Sequence, residues 1–460
     1  MFVTLQFIES DFYGEVGANL GARGHDVAVV TVSRRAAAKL SRRGVRAHCL
    51  PDVIAALPAD PPLAEEVQRL ESTYETPTLR DVYRTDQPSR GRPEDWSLAR
   101  TARHFRAIEQ VFDREQPDVV VLDVGGEILR TAAHLVALER GVPVLFLLYT
   151  LFPRPLRLYR DTLHAPIVTP DELRPLSDAE RTEVEAFIAE FIARDRPIRA
   201  YRQTPNVRSH WRNLARHIAV KLTQERDNEY LRPGVWTRDI AVEAVRRRAA
   251  RALYRSPRAG RPFVYFPLHV TEDYKIARVI PHCRDQASII EQVAGYLPSG
   301  YDVVVKEHPM AIGCTSLRTL ARLRRVPNLR ILPPETSSHD LIRASTAVAV
   351  ISSTVGLEAL LHGKPVLTIG EPFYSGAGVT LDVTSFAELR EAVPALLRFE
   401  PDRERILRFL GAAMRRCHPG KPVLVDRSRE NARALAETLD DVAGSIPPGV
   451  EHVVEQPAAR

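Results

Sequence analysis

Over the first 150 residues, short apolar runs alternate with stretches of helical periodicity. Residues 2–8, 26–32, 45–50, 118–123 and 142–149 have strand length and read as strands, the last two buried on both faces. The spacing predicts helices over 13–22, 34–43, 99–115 and 128–139. Gly24 and Gly44 fall just past two of them, where a C-terminal glycine belongs. Strands separated by helices predict βαβ units and a parallel sheet. Residues 51–95 are rich in proline and acidic side chains and read as a long excursion.

The rhythm breaks over 151–260. Residues 179–194 are helical in pattern. The stretch 199–255 is basic and punctuated by Pro205, Pro233 and Trp236, which predicts a helical insert leading to a linker near 256–260. A second alternation follows, with strands at 262–268, 301–306, 328–332, 347–351 and 365–369. Its helices fall near 285–296, 315–324, 338–344, 354–362 and 385–398, and two more are predicted at 401–416 and 427–443. The expected fold class is therefore α/β: two Rossmann-like, doubly wound domains facing each other across a cleft, with a helical insert, as in the GT-B architecture. The expected division is an acceptor-side domain over 1–195, the insert and linker over 196–260, and a nucleotide-binding domain over 261–400. C-terminal helices over 401–445 cross back to the first domain, and a polar tail covers 446–460.

The chain has 460 residues, of which 44% are hydrophobic and 27% charged, ample for two buried cores. The longest apolar run, 142–153, is about twelve residues, short of the ~20 that span a bilayer. No basic region precedes the first apolar stretch, against a signal peptide. Four scattered cysteines without a CxxC pair argue against a zinc ribbon or a disulfide framework and fit a reducing cytoplasm. The net charge of +6 comes almost wholly from arginine, clustered between Arg194 and Arg258. That pattern fits a GC-rich genome, or attraction to phosphates or a membrane surface.

In open α/β sheets, ligands sit beyond the carboxyl ends of the strands, so the strand-to-helix loops carry the candidate chemistry. The strongest is the run from Val350 to Ala359, where a buried strand meets a helix through Ser352, Ser353 and Thr354. Ser353 is a natural N-cap, and hydroxyls and free N–H groups at a helix N-terminus form an anion site. Gly356 in the first turn permits close approach of a ligand or a neighbouring strand, and Glu358 lies one turn in, within reach of ribose hydroxyls. A second strand ends in Lys306-Glu307-His308-Pro309, with His308 able to donate to phosphate and Pro309 fixing its turn. A third carries His269 and Asp273 beyond its end, followed by Gln286 at a helix start. Each also reads as ordinary turn and capping chemistry.

Taken in order, Phe-Pro-Leu-x-x-x-x-Asp from Phe266, Lys306-Glu307-His308-Pro309, and Ser352-Ser353-Thr354-Val355-Gly356-Leu357-Glu358-Ala359 resemble the capsule polysaccharide biosynthesis family, which includes Kdo transferases. The resemblance covers roughly 262–380. It implies a GT-B glycosyltransferase using a CMP-activated donor that transfers Kdo or a related ulosonic acid to a glycolipid or glycan acceptor; no cofactor is expected, and no metal, since Lys306, His308 and the helix N-terminus supply charge and no clear DxD motif is present. By that resemblance His308, Ser352, Ser353 and Thr354 hold the CMP phosphate, Glu358 holds the ribose, and Lys306 adds positive charge behind the phosphate. His269 stands where the family pattern has Gln, which bears on the donor sugar.

The acceptor then requires a carboxylate from the first domain, as base or nucleophile. Candidates follow two strand ends: the loop Glu9-Ser10-Asp11, and Asp123-Val124-Gly125-Gly126-Glu127. Asp123 or Glu127 is preferred over Asp11, although Glu127 equally suits a first-turn acid favoured by the helix dipole. Arg154, Arg157 and Arg160 are available to an anionic acceptor or to solvent. Trp211, Leu214, Ile218 and Leu222 share one face of a basic helix, which suits packing on the first domain or peripheral contact with the inner face of the cytoplasmic membrane. Rival readings are a UDP-sugar epimerase of the same fold and a non-catalytic capsule-assembly protein. A nucleic-acid role is not expected, because the basic insert lacks interleaved aromatics.

Overall fold

The computed structural model describes residues 1–74, 76, 78–163, 167–193, 207–270, 274–307 and 315–445, with backbone alone for 207–213. Two separate sheets organise them. The first contains β1 (Phe2–Thr4), β2 (Ala28–Thr31), β3 (Arg46–Cys49), β4 (Val120–Asp123), β5 (Val144–Tyr149) and β6 (Leu156–Arg160). The second contains β7 (Phe263–Pro267), β8 (Asp302–Lys306), β9 (Leu329–Leu332), β10 (Ala347–Val350), β11 (Val366–Thr368) and β12 (Leu381–Asp382). A late strand, β13 (Cys417–His418), returns to the first sheet.

The first sheet runs β13-β6-β5-β4-β1-β2-β3 and the second β12-β11-β10-β7-β8-β9. All pairs are parallel except β5–β6 and β6–β13. Both sheets are doubly wound in the same way. The chain moves outward from β1 through β2 to β3, then returns to place β4 on the other side of β1. It repeats this with β7, β8, β9 and β10. Each sheet thus has a switch point, β1/β4 in the first and β7/β10 in the second, where the crevice for a ligand opens. Two Rossmann-like units, as the alternation predicts, are what the chain forms.

Several elements differ from their sequence reading. The first strand ends at Thr4, and the helix Phe7–Gly21 begins three residues later. Glu9 and Asp11 therefore lie on a helix rather than in a loop. Gln6 and Glu9 form a reciprocal capping box that starts the helix early. The excursion at 51–95 contains the helices Leu50–Ala55, Leu63–Thr73 and Leu79–Tyr83, packed by Leu50, Leu70 and Leu79 into the first core. The antiparallel strands β6 and β13 depart from the βαβ rhythm: β6 folds back on β5 as a hairpin, and β13 joins its free edge from far along the chain.

The helix Asp178–Ala193 packs Val184, Phe187, Ile188 and Phe191 into the second unit's core, alongside Phe409 and Leu410 of the helix Arg403–Arg415. From β13 onward the chain rejoins the first unit, where the helix Arg429–Ala443 packs Leu435 and Leu439 against Tyr13, Val16 and Leu20. The insert is a pair of helices, Val207–Thr223 and Pro233–Ala250. Their connection docks on the first unit: the Glu225 carboxylate accepts from Ser33 Oγ at 2.5 Å, and the Tyr230 hydroxyl donates to Asp86 Oδ1 at 2.8 Å.

The carboxyl edges of the two sheets meet. Arg84 Nη2 donates to the Ala277 carbonyl at 3.1 Å, and Arg278 bonds Thr131. A Cβ on Gly126 would fall 3.2 Å from Tyr274 Cδ2, so the turn after β4 lies against the segment after β7.

The returning helix is held chiefly by apolar burial. Leu435 is fully buried, so Leu435→Ala should lower stability by about 2–5 kcal/mol. Chemical denaturation followed by circular dichroism checks this, and an unchanged midpoint would show that the helix does not need that contact.

Candidate active site

The turn after β10 forms an open helix N-terminus. The helix Thr354–Leu361 is capped by Ser353, whose hydroxyl accepts from the Val355 N–H at 3.2 Å. The preceding Ser352 N–H donates to His269 Nε2 at 3.0 Å, across the β7/β10 switch point. A ring nitrogen that accepts is unprotonated, so His269 is neutral with its proton on Nδ1. The Gln286 side chain fixes the His269 backbone from both sides, accepting from its N–H at 2.9 Å and donating to its carbonyl at 3.2 Å. His269 thus belongs to the helix-terminus site, and Gln286 holds it there. Neither a carboxylate nor another anion among the described residues caps this terminus.

Gly356 is needed for a protein contact. A Cβ there would sit 2.0 Å from the Tyr374 hydroxyl, which donates to the Ser353 carbonyl at 2.5 Å. What approaches the first turn is Tyr374, fully buried, from the loop after β11. Asp382 ties that loop down, accepting from Thr368, Thr380 and the Gly376 N–H. Tyr374 escapes sequence reading because its partner lies about twenty residues away.

Lys306 and Glu358 form a polar pair below this turn. Lys306 Nζ donates to the Thr336 carbonyl at 2.9 Å and to Ser338 Oγ at 2.6 Å. Burial lowers its pKa to about 8, against the pull of Glu358. Burial raises Glu358 to about 7, against the pull of Lys306. Two of the three Lys306 protons are spent within the protein, so its charge acts on the site through space. His308, Pro309 and Asp273 lie outside the described residues.

The first unit's switch point has the opposite character. Glu9 Oε2 accepts from the Leu5 N–H at 2.8 Å and the Gln6 N–H at 3.3 Å, filling the helix N-terminus after β1 with the protein's own carboxylate. Arg130 reaches Glu9 at 3.1 Å and Glu127 at 3.0 Å. A Cβ on Gly125 would fall 2.2 Å from Glu127 Oε2 and 2.4 Å from Arg130 Nη1, so a side chain there would displace this pair. Asp123, at the end of β4, is buried with its Oδ2 unbonded. Burial raises its pKa to about 6, assisted by Glu9 and Glu127 and opposed by Arg130 and Tyr13. Tyr13 is pushed well above its ordinary range by burial and then by Asp123.

Of the three candidate acids, Asp123 and Glu127 come together, joined by Glu9. Asp11 faces away on the first helix, where Lys39 contacts it at 2.5 Å and Arg43 at 3.0 Å. The sequence names Glu9 only within the loop of Asp11, and it does not single out Tyr13 or Arg130. The Gln6-x-x-Glu9 spacing is the one local signal that could have found Glu9. Arg154 is spent on the Met414 carbonyl and Arg160 on Asp161. Arg157 is buried, stacked 3.8 Å from the Tyr159 ring centroid, and its pKa falls to about 10 through burial.

A family model matches the part of the chain that holds the open helix terminus. Residues 174–399 match the model of the capsule polysaccharide biosynthesis protein family. Through that segment the chain is similar to the capsule polysaccharide biosynthesis family. Protein FixF of Sinorhizobium fredii is 30% identical over 152 residues, covering 32% of this chain and 36% of that protein. The capsule polysaccharide export protein KpsS of Escherichia coli is 34% identical over 113 residues, 24% of this chain and 28% of that protein. The chain thus matches about a third of the length of these relatives. Among solved structures, the β-Kdo 2,7 transferase of Thermosulfurimonas dismutans KpsC is 18% identical, with 68% of this chain and 86% of that chain covered and a TM-score of 0.32. Among the described residues no helix is long and apolar enough to cross a membrane.

Burying Asp123 has a consequence for stability. Its folded pKa lies above the ordinary 3.8, so between pH 4 and about 6 the folded state keeps a proton that the unfolded chain has lost. Stability therefore falls as pH rises through that window. A shift of this size costs on the order of 2–3 kcal/mol at neutral pH. Asp123→Asn should be more stable than the parent at pH 7 and equal to it below pH 4. Denaturant titrations at both pH values check this, and a difference that does not vary with pH would exclude the buried ionised state.

Proposed function

We propose that the protein is a glycosyltransferase that moves Kdo or a related ulosonic acid from a CMP-activated donor to a glycolipid or glycan acceptor, independently of metal. The observation that carries this reading is the contrast between the two facing switch points. The second unit presents N–H and hydroxyl donors and His269, with no capping acid among the described residues. The first presents carboxylates, one with a pKa near 6. A departing phosphate is stabilised by the former, and an acceptor hydroxyl is deprotonated by the latter.

In this mechanism the CMP phosphate rests on the Ser352–Thr354 terminus, with Ser353 and Thr354 donating, His269 orienting the turn and Lys306 adding charge. His308 completes the phosphate grip and Glu358 the ribose grip, on the family resemblance. The acceptor oxygen forms a bond to the anomeric carbon as the bond from that carbon to the phosphate oxygen breaks. The electron pair leaves with CMP, and the acceptor proton passes to Asp123. Asp123 suits this role better than Glu127, because Glu127 is held by Arg130 and Asp123 has an unbonded oxygen.

The insert supports a cytoplasmic, membrane-surface location for a lipid-linked acceptor. It exposes Ile218, Leu222, Val242 and Val245 among its arginines. Leu222→Glu should reduce co-sedimentation with phosphatidylglycerol vesicles, and equal sedimentation of both proteins would remove this location.

Three measurements test the enzyme reading. His269→Ala should weaken CMP binding roughly tenfold by titration calorimetry, the scale of one lost hydrogen-bonded contact. Asp123→Asn should leave CMP affinity intact and cut sugar transfer by at least ~10²-fold. The parent's kcat/KM should rise with pH through about 6, as Asp123 loses its proton. Tighter binding of UDP than CMP, or loss of transfer on adding EDTA, would overturn the proposed donor or the metal-free mechanism respectively.

A further inference from the structure

The first unit carries an unpaired arginine beyond the carboxyl ends of β1 and β2. The helices Phe7–Gly21 and Arg34–Arg42 begin side by side, just beyond the adjacent parallel strands β1 and β2. Across that gap the Arg35 guanidinium lies over the Phe7 ring, 4.1 Å from its centroid, and Lys39 Nζ lies 5.2 Å from the same centroid. The neighbouring cations all have partners, Arg42 in the Ala38 carbonyl and the others in acids. Arg34 meets Asp52 and Asp227, and Lys39 and Arg43 meet Asp11. Arg35 alone of this group has no hydrogen bond or ion pair from its side chain among the described residues. The nearby Glu225 carboxylate takes the Arg35 backbone N–H at 3.1 Å and the Ser33 hydroxyl, which fixes the turn and leaves the guanidinium charge unmatched.

We propose that Arg35, seated on Phe7, is an acceptor subsite for a carboxylate or phosphate group. This rests on reading the first unit as the acceptor side. A guanidinium stacked on a ring keeps its N–H donors in its own plane, directed outward, in the fork that matches a carboxylate or phosphate with two bonds. The ring also restricts the side chain in advance, so less freedom is lost on binding. Phe7 stands two residues before Glu9 of the carboxylate cluster, and the intervening Ile8 is 44% exposed, an apolar surface beside the cation. The acceptor's reacting hydroxyl is then the part that reaches Asp123.

The anion could belong to an acidic sugar or to a lipid headgroup, and the probes separate them. Binding of D-glucuronate, its methyl ester and glycerol 1-phosphate is followed by saturation-transfer NMR with CMP present in excess, so that the nucleotide site is filled. The parent protein is expected to bind glucuronate, glycerol 1-phosphate or both, and to bind the uncharged ester at least tenfold more weakly. Glucuronate assigns the subsite to an acidic sugar and glycerol 1-phosphate to a headgroup. Arg35→Gln should weaken the bound anion roughly tenfold or more, and Arg35→Lys by less, because it keeps the charge and loses the fork. Both variants should keep the parent's CMP affinity, which shows that they are folded. Equal binding of ester and acid, no anion binding by the parent, or unchanged binding by Arg35→Gln would each overturn the subsite. Failure of CMP binding in the parent, with Arg35-dependent anion binding retained, would instead overturn the CMP-transferase reading and leave the subsite standing.

Discussion

Arg130 is the group on which the first unit's crevice depends. Glu9, Asp123 and Glu127 approach one another at the end of two neighbouring strands, and three carboxylates so placed repel. The buried guanidinium binds two of them directly, which leaves Asp123 as the acid whose charge is least compensated. Burial then raises Asp123 toward neutrality. Removing Arg130 would leave the buried Glu9 and the half-buried Glu127 unpaired at once, a loss on the scale of several kcal/mol. Gly125 serves the same arrangement by leaving room for the Glu127–Arg130 pair.

The second unit solves the opposite problem. Its helix terminus after β10 is kept free of acids while the surrounding polar groups are held still. Gln286 clamps His269, His269 accepts from Ser352, and Tyr374 braces Ser353 from beneath. Donors fixed in this way need no rearrangement when an anion arrives. The identical winding of the two sheets brings both crevices to the carboxyl edges, and the Gly126–Tyr274 contact sets those edges against each other.

The insert is wired to the same place. Tyr230 and Arg100 both bind Asp86, whose Oδ1 also accepts from the Ile128 N–H at 3.1 Å, the residue after Glu127. Thr85, beside it, donates to the Gly126 carbonyl at 2.7 Å. The connection between the insert helices therefore supports the turn that carries the acids, and the basic hairpin is anchored to the acceptor side of the crevice.

Local sequence determined the alternation of strands and helices, the existence of two units, and the Ser352–Glu358 turn, because side-chain periodicity and capping act over a few residues. It also placed Asp123 and Glu127 at a strand end. It misread Glu9 and Asp11 as a loop, since an apolar run from Phe2 to Ile8 suits a strand as well as a strand followed by a capped helix. Tertiary structure decided which of these acids meet: Glu9 turns inward to Arg130, while Asp11 turns outward to Lys39 and Arg43. It also turned Gly356 from a ligand's neighbour into the seat of Tyr374, and brought His269 to Ser352 across 83 residues. β13 and the crossing of the helix Asp178–Ala193 to the second core were decided in the same way. These features depend on pairings between segments far apart in the chain, and no local pattern encodes which surface a side chain will find when the sheets close.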